Sequence, residues 1–219
     1  MQNAVKQDEE MMGAIYNPIH DITQMSCNII SHRMFFSAAV AAGDEDEKVL
    51  DKSLWIAGTY GTNTQQGCAG YKGHASGGTI GIGFDIGSDN YKDLVGIAYT
   101  KLDSKFESNG SRSNTNIDSH IVTLYGQKEL PKNFMIQAMF AYNHNIVKGK
   151  INHLGTIATG KYKNYNYNFE TLLSYHLMNG DITLTPNLGI RYGHSKDDTY
   201  QESDVGIQYL SIASKKQYL

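Results

Sequence analysis

From residue 53 onward the chain alternates apolar and polar positions with a period of two, and it does so strand after strand. A strand sends successive side chains to opposite faces, so each alternating run has one apolar face and one polar face. In Gly78–Gly87, "GTIGIGFDIG", Ile80, Ile82, Phe84 and Ile86 share one parity, and Gly81, Gly83, Asp85 and Gly87 share the other. The pattern predicts strands near 53–61, 76–87, 91–106, 117–129, 133–148, 159–177, 182–195 and 205–213. Between them the expected connections alternate in length. Thr62–Ala75, Glu107–Asn116, Gly149–Ala158 and Lys196–Asp204 read as long, and Ser88–Asn90, Pro131-Lys132 and Met178–Asp181 as tight turns. Long loops at one end and tight turns at the other are the mark of an up-and-down antiparallel barrel of the outer-membrane kind. Sandwiches do not sort their loops this way.

The polar parity decides which face is dry. Ile182, Leu184, Pro186, Leu188, Ile190 and Tyr192 oppose Thr183, Thr185, Asn187, Gly189 and Arg191. Tyr165, Tyr167, Phe169, Thr171, Leu173 and Tyr175 oppose Asn164, Asn166, Asn168, Glu170, Ser174 and His176. Phe134, Ile136, Ala138, Phe140 and Tyr142 oppose Gln137, Ala141 and Asn143, with Met135 and Met139 interrupting the polar set. A soluble barrel needs bulky charged residues on its outer face. Gly, Asn, Thr and Ser with scattered Asp85, Glu170 and Arg191 suit a crowded, hydrated lumen instead. The apolar parity carries tyrosines near strand ends (Tyr60, Tyr99, Tyr142, Tyr165, Tyr192), where amphipathic rings mark membrane interfaces. A charge at mid-bilayer on a lipid-facing position costs about 2–4 kcal/mol, which accounts for their scarcity there. The expected fold is therefore all-β, an up-and-down antiparallel transmembrane β-barrel whose isoleucines meet lipid, with a soluble sandwich or barrel as the alternative.

Ahead of the strands the period is helical. Asn17-Pro18 supplies a cap and a first-turn proline, and Ile15, Ile19, Ile22, Ser26, Ile29, Arg33, Phe36 and Val40 recur at three- and four-residue steps. One helix is expected over Pro18–Ala42, with Gly43 as its C-cap. The resulting division is a disordered tail at 1–17, a helix at 18–43, an acidic linker at 44–52 containing Asp44–Glu47, and the β region at 53–219. Met34–Ala42 imitates a signal-peptide core, but residues 1–33, with Asp8-Glu9-Glu10, precede it. The expectation is that the chain carries no export address of its own.

Composition sharpens this picture. Net charge is −3 with 19% charged residues, so no polybasic footprint points to nucleic acid. The counts of 22 Gly and 15 Tyr favour β structure with an interface in it. Cys27 and Cys68 lack metal-ligand spacing and read as free thiols. Gly81-x-Gly83-x-x-x-Gly87 lacks the spacing and the following helix of a dinucleotide fingerprint. His144, His153, His176 and His194 are dispersed, without carboxylates at ligand spacing. Asn114–Asn116 and Asn143–Asn145 have no general base nearby in sequence. No catalytic, cofactor-binding or metal-binding residue is expected, no cofactor is implied, and the chain is not read as an enzyme.

Several stretches, taken in series, resemble a known family. They are "AAGDEDEKVLDKSLWIAGTYG" (41–61), "GYKGHASGGTIGIGFDIGSDNYKDLVGIAYTKLDSKF" (70–106), "HIVTLYGQKEL" (120–130) and "LTPNLGIRYGHSKDDTYQES" (184–203). The order of a helix, a Trp-bearing first strand (Trp55), a Gly70-Tyr71 loop and a Gly-rich second strand (Gly77–Gly87) is similar to the autotransporter translocator domain of Gram-negative bacteria. Within it, the likeness is to the rickettsial surface cell antigen and outer membrane protein B type, over roughly residues 20–219. The resemblance implies a twelve-stranded barrel in the cell outer membrane, threaded by the preceding helix and inserted by barrel-assembly machinery. It also implies translocation and surface anchoring of a passenger, with outer-membrane lipid as the surround. About seven or eight strands are present and no passenger precedes the helix, so the expectation is a truncated or split copy, incomplete at its C-terminal end. Open edges in lipid would cost tens of kcal/mol. A small surface barrel acting as an adhesin through loops 62–75, 107–116 and 196–204, and a non-functional remnant, are the alternatives.

Overall fold

The computed structural model describes residues 18–34, 52–66, 70–86, 93–108, 114–153, 156–179, 182–198, 200–203, 211–212 and 216–218, those at 151–153, 156–158, 178–179, 182–183 and beyond 199 by backbone alone. The expected tail, the helix beyond residue 34, nearly all of the acidic linker, the Ser88–Asn90 turn and residues 205–210 of the last expected strand lie outside that set.

One helix, α1 (18–34), precedes an antiparallel meander of six long strands. These are β1 (Lys52–Gln65), β2 (Tyr71–Asp85), β3 (Leu94–Ser108), β4 (Asn114–Leu130), β5 (Phe134–His153) and β6 (Thr156–Tyr175), each paired with its predecessor. The short pair β7 (Leu177–Asn179) and β8 (Ile182–Leu184) forms its own hairpin, so the strand expected at 182–195 is broken. It resumes as β9 (Asn187–Asp197), which pairs with β6 from Ser174 to Asn164, and β10 (Tyr200–Ser203) continues the same line to Thr159. The Asp198 amide bridges the two by donating to the Lys163 carbonyl at 2.8 Å. Beyond them β11 (Ser211–Ile212) pairs with β10, and β12 (Lys216–Tyr218) with β9. Among the described residues β1 pairs with β2 alone, and the sheet is open.

The expected alternation of long and tight connections does not hold. β1 and β2 pair without a break from Lys52↔Phe84 to Gln65↔Tyr71, so Thr62–Ala75 is mostly wall, not loop. β5 and β6 pair out to His153↔Thr156, which turns 149–153 and 156–158 into strand as well. Lys196 and Asp197 end β9 and Tyr200–Ser203 form β10, so most of 196–204 is strand too, and only 109–113 separates β3 from β4. Polar residues that read as loops are strand ends rising past the apolar belt. The Pro131–Asn133 turn is tight as expected, with Lys132 and Asn133 both left-handed at φ 65° and 62°.

Register stacks the outward side chains into rows. One row runs Leu54, Ile82, Ile97, Leu124, Phe140, Phe169 and Tyr192 across seven strands. The next runs Ile56, Ile80, Tyr99, Val122, Tyr142 and Tyr167. These side chains are open, with Ile56 82%, Leu124 54% and Tyr192 53% exposed. A continuous apolar exterior of this extent is not a water-facing surface. Two rows further on, the same face carries Asp103, Asp118 and Lys163, and the belt ends.

Candidate functional site

The inner face holds α1. Ile19, Ile22, Thr23, Ser26, Cys27, Ile30 and Met34 are buried along one stripe, while Gln24, Asn28 and His32 form the open stripe. The buried stripe is turned by about one position from the expected one, since Ile30 and Met34 replace Ile29 and Arg33. The reason is the concave seat. Helix side chains meet β1 through Arg33 Nη2–Ser53 Oγ (3.1 Å), β3 through Ser26 Oγ–Thr100 Oγ1 (3.0 Å), and β5 through Asn143 Nδ2–Thr23 Oγ1 (2.5 Å). Asn166 Nδ2 of β6 reaches the same threonine hydroxyl at 3.5 Å, and the Tyr71 hydroxyl of β2 donates to Asp21 at 2.5 Å. A single helix can touch β1 and β6 together only if the sheet wraps around it.

Two kinds of surface line the seat. Leu102, Phe106, Ile117, Ile121, Met139 and Val147 form an apolar quadrant with the helix isoleucines. This explains why Met139 interrupts the polar parity of β5. Elsewhere the lining is a polar ladder. Asn145 Nδ2 donates to Asn164 Oδ1 at 2.9 Å, and Asn164 Nδ2 donates to Ser195 Oγ at 2.8 Å and to Asp197 Oδ1 at 2.7 Å. Asn168 Nδ2 donates to Asn166 Oδ1 at 2.9 Å. Arg191 sends both Nε and Nη2 to Glu170 Oε2, at 2.8 and 2.7 Å. Buried Ser104 Oγ, Ser119 Oγ, Thr123 Oγ1, Asn143 Oδ1 and Asn145 Oδ1 have no protein partner. Buried polar atoms without a partner cost about 1–3 kcal/mol each, so this interior is built for water.

Two inward glycines, Gly81 of the opening motif and Gly96 of β3, have a specific task. A Cβ on Gly81 would stand 2.5 Å from the Trp55 indole, and one on Gly96 would overlap the Tyr125 ring and come 2.6 Å from the Ile82 carbonyl. Trp55 and Tyr125 lie across these glycines edge to face, 6.3 Å apart, with Trp55 Nε1 donating to the Tyr125 hydroxyl. Sequence reading placed Trp55 and the glycines on their strands but missed this pair, which spans β2 and β3.

Glycines on the inside, a continuous apolar belt outside and a helix within describe a membrane-spanning β domain, and comparison with known proteins agrees. The autotransporter beta-domain family matches residues 54–218. The chain belongs to that family. It is 40% identical over 188 residues to the putative surface cell antigen sca1 of Rickettsia conorii, covering 81% of this chain and 10% of that protein. It is 30% identical over 239 residues to outer membrane protein A of Rickettsia conorii, covering 98% of this chain and 12% of that protein. Outer membrane protein B of Rickettsia rickettsii is 31% identical over 194 residues, with 82% and 12% covered. The translocator domain of autotransporter NalP from Neisseria meningitidis superposes with a TM-score of 0.70 at 17% identity, over 90% of this chain and 67% of that one. That last likeness speaks to the fold. The chain spans 10% to 12% of the length of these curated relatives. As an autotransporter beta-domain it is an outer-membrane translocator and surface-anchoring domain of a Gram-negative bacterium.

Within this autotransporter domain the residues singled out from sequence are not brought together. Glu170 faces the interior and is neutralised by Arg191. His144 lies on the outer face, stacked 5.2 Å from Tyr165, while His176 Nδ1 meets Thr185 Oγ1 at 3.1 Å. Asn143 holds the helix and Asn145 belongs to the ladder. Cys27 is buried on the seated stripe of α1, and Cys68 and the side chain of His153 lie outside the described residues. Among the described residues no cluster of three His, Cys, Asp or Glu is placed to hold a metal ion.

Proposed function

We propose that α1 is the connecting segment through which a passenger is tethered to the cell surface, and that the sheet around it is the wall of the export channel. One observation carries the reading: a single helix bonds to inward side chains of β1, β2, β3, β5 and β6 while the opposite face of the same strands is apolar. A polar, water-bearing seat lets an extended chain pass before the helix settles, because backbone groups in transit find partners there. The partners are outer-membrane lipid, the passenger, and the barrel-assembly machinery that inserts such walls. On this reading the role is transport and anchoring, not catalysis, and the division at residues 17, 43 and 52 separates tail, tether and linker from barrel. An adhesin reading would place its contacts on strand rims rather than free loops, because most of 62–75 and 196–204 is paired strand.

The test is a chimera in which residues 18–218, helix included, replace the matching stretch of the sca1 relative. The preceding part of that protein should be digested by protease added to intact cells. Retention of that part inside the envelope, or recovery of the chain without detergent or urea, would end the reading.

A further inference from the structure

The outward wall beyond the tyrosine row is unevenly charged around the sheet. On β3 and β4 the signs alternate: Lys101, Asp103, Lys105 and Glu107 follow one another, with Asp118 beside them, and Lys101 Nζ lies 3.8 Å from Asp103. On β5, β6 and β9 the same rows carry Lys148, Lys150, Lys161, Lys163 and Lys196, all exposed, and no acid. Two carboxylates border this quadrant. Asp118 on β4 holds Lys148 at 3.1 Å, and Asp198 lies just past the end of β9. Five cations against two acids leave a positive excess confined to one side.

Register makes the excess costly. Lys148 stands directly opposite Lys161, and Lys196 opposite Tyr165. Like charges at directly opposed positions destabilise a strand pair. Immediately below lie Tyr142 and Tyr167, with ring centroids 5.2 Å apart, and the stacked His144 and Tyr165. Such rings sit at the headgroup level of a bilayer, and successive rows on one face rise about 6–7 Å each. Counted from Tyr142 and Tyr167, Lys196 stands one row up, Lys163 two, Lys148 and Lys161 three and Lys150 four, so the quadrant rises from the headgroup level outward and its flexible four-carbon stems can lean back toward headgroup phosphates. Ammonium groups are compact point charges suited to phosphate, and a basic patch at a bilayer surface attracts anionic lipid.

We propose that the lysine quadrant of β5, β6 and β9 binds the phosphate groups of lipid headgroups in the adjoining leaflet, one phosphate relieving the Lys148–Lys161 repulsion. The proposal rests on the membrane reading of the wall, and the charge complementarity and its continuity with the apolar belt select lipid as the occupant.

The test uses the full chain in phosphatidylcholine bilayers containing trace spin-labelled phosphatidic acid or spin-labelled phosphatidylcholine. The motionally restricted fraction of each label measures its residence against the wall. Phosphatidic acid should be favoured by about fivefold. The triple substitution Lys148→Gln, Lys161→Gln, Lys163→Gln should bring the two lipids to parity, and arginine at the same positions should keep the preference. The triple Lys72→Gln, Lys101→Gln, Lys105→Gln on the other side should leave it intact. Equal restriction of both lipids by the unaltered chain, or a preference abolished by free inorganic phosphate at constant ionic strength, would overturn the proposal. Absence of any restricted phosphatidylcholine would instead sink the membrane reading, so the two failures are distinguishable. The unaltered chain decides the matter even if a variant fails to fold.

Discussion

The indole Nε1 of Trp55 on β1 donates a 2.9 Å hydrogen bond to the hydroxyl of Tyr125 on β4, across two intervening strands. The bond exists because Gly81 and Gly96 remove the side chains that would stand between the rings. Two consequences follow for stability. Tyr125→Phe removes the acceptor and should cost about 0.5–1.5 kcal/mol. Gly96→Ala drives a methyl group into the Tyr125 ring and the Ile82 carbonyl, and overpacking of this kind costs about 1–3 kcal/mol. Trp55 is the sole tryptophan, so its fluorescence during urea unfolding in detergent reports both. An unchanged midpoint for Gly96→Ala would show that the ring pair does not hold β1 to β4.

The seat of α1 gives a second prediction. Thr23 Oγ1 donates to the Ile19 carbonyl at 2.9 Å and accepts from Asn143 Nδ2 at 2.5 Å. Thr23→Val keeps the shape but leaves the buried Asn143 amide without its acceptor. The expected cost is about 1–3 kcal/mol, the penalty of a buried unsatisfied donor. Adding Asn143→Leu removes the orphaned donor and should restore much of the loss. A double variant as unstable as the sum of the singles would argue against the pairing, because groups in contact do not add.

How much of this was legible in the sequence depended on the range of the contact. Strand parity was legible, because alternation is local: Ile80, Ile82, Ile97 and Tyr99 all face outward as the pattern requires. Loop lengths were not. Lys148, Lys150 and Lys161 read as loop residues or strand ends because charge usually marks a break, but here it marks a wall that leaves the membrane while still paired. Strand β4 was blurred for another reason, since Ile117 and Ile121 meet the helix while Val122 and Leu124 meet lipid, and both faces are apolar. The phase of the helix stripe was missed by one position because a concave seat covers more of a helix than a flat one. Residues 55 and 125 could not be joined from sequence at all, since nothing local to either strand announces the other.

Belt depth is open to measurement on one face. Leu124 lies in the middle apolar row, between Ile97 and Phe140, whereas Ile146 lies opposite Lys163 and Asp118, beyond the belt. Leu124→Arg should cost about 2–4 kcal/mol when the chain is refolded into vesicles, and Ile146→Arg about 0–1 kcal/mol. In detergent micelles, whose thickness adapts, the difference should shrink. Equal costs at the two positions in vesicles would mean the belt does not end where the charged rows begin.

The Glu170–Arg191 pair tests whether the interior ladder is structural. Both guanidinium nitrogens converge on Glu170 Oε2, and the side chains are 14% and 29% exposed, so the pair is partly screened by water. Glu170→Gln leaves Arg191 facing a neutral amide, and loss of a charge-assisted hydrogen bond costs about 1.5–3 kcal/mol. Arg191→Met alone leaves the part-buried carboxylate without its counter-charge and should cost as much or more. The double substitution removes both charges together, and replacing such a pair with neutral groups is often close to neutral. A cycle of urea unfolding midpoints should therefore show the double variant more stable than Arg191→Met alone. If the double variant instead lost the sum of the two single losses, the pair would contribute no coupling, and β6 and β9 would be held by their backbone ladder without help from the charges that face the helix.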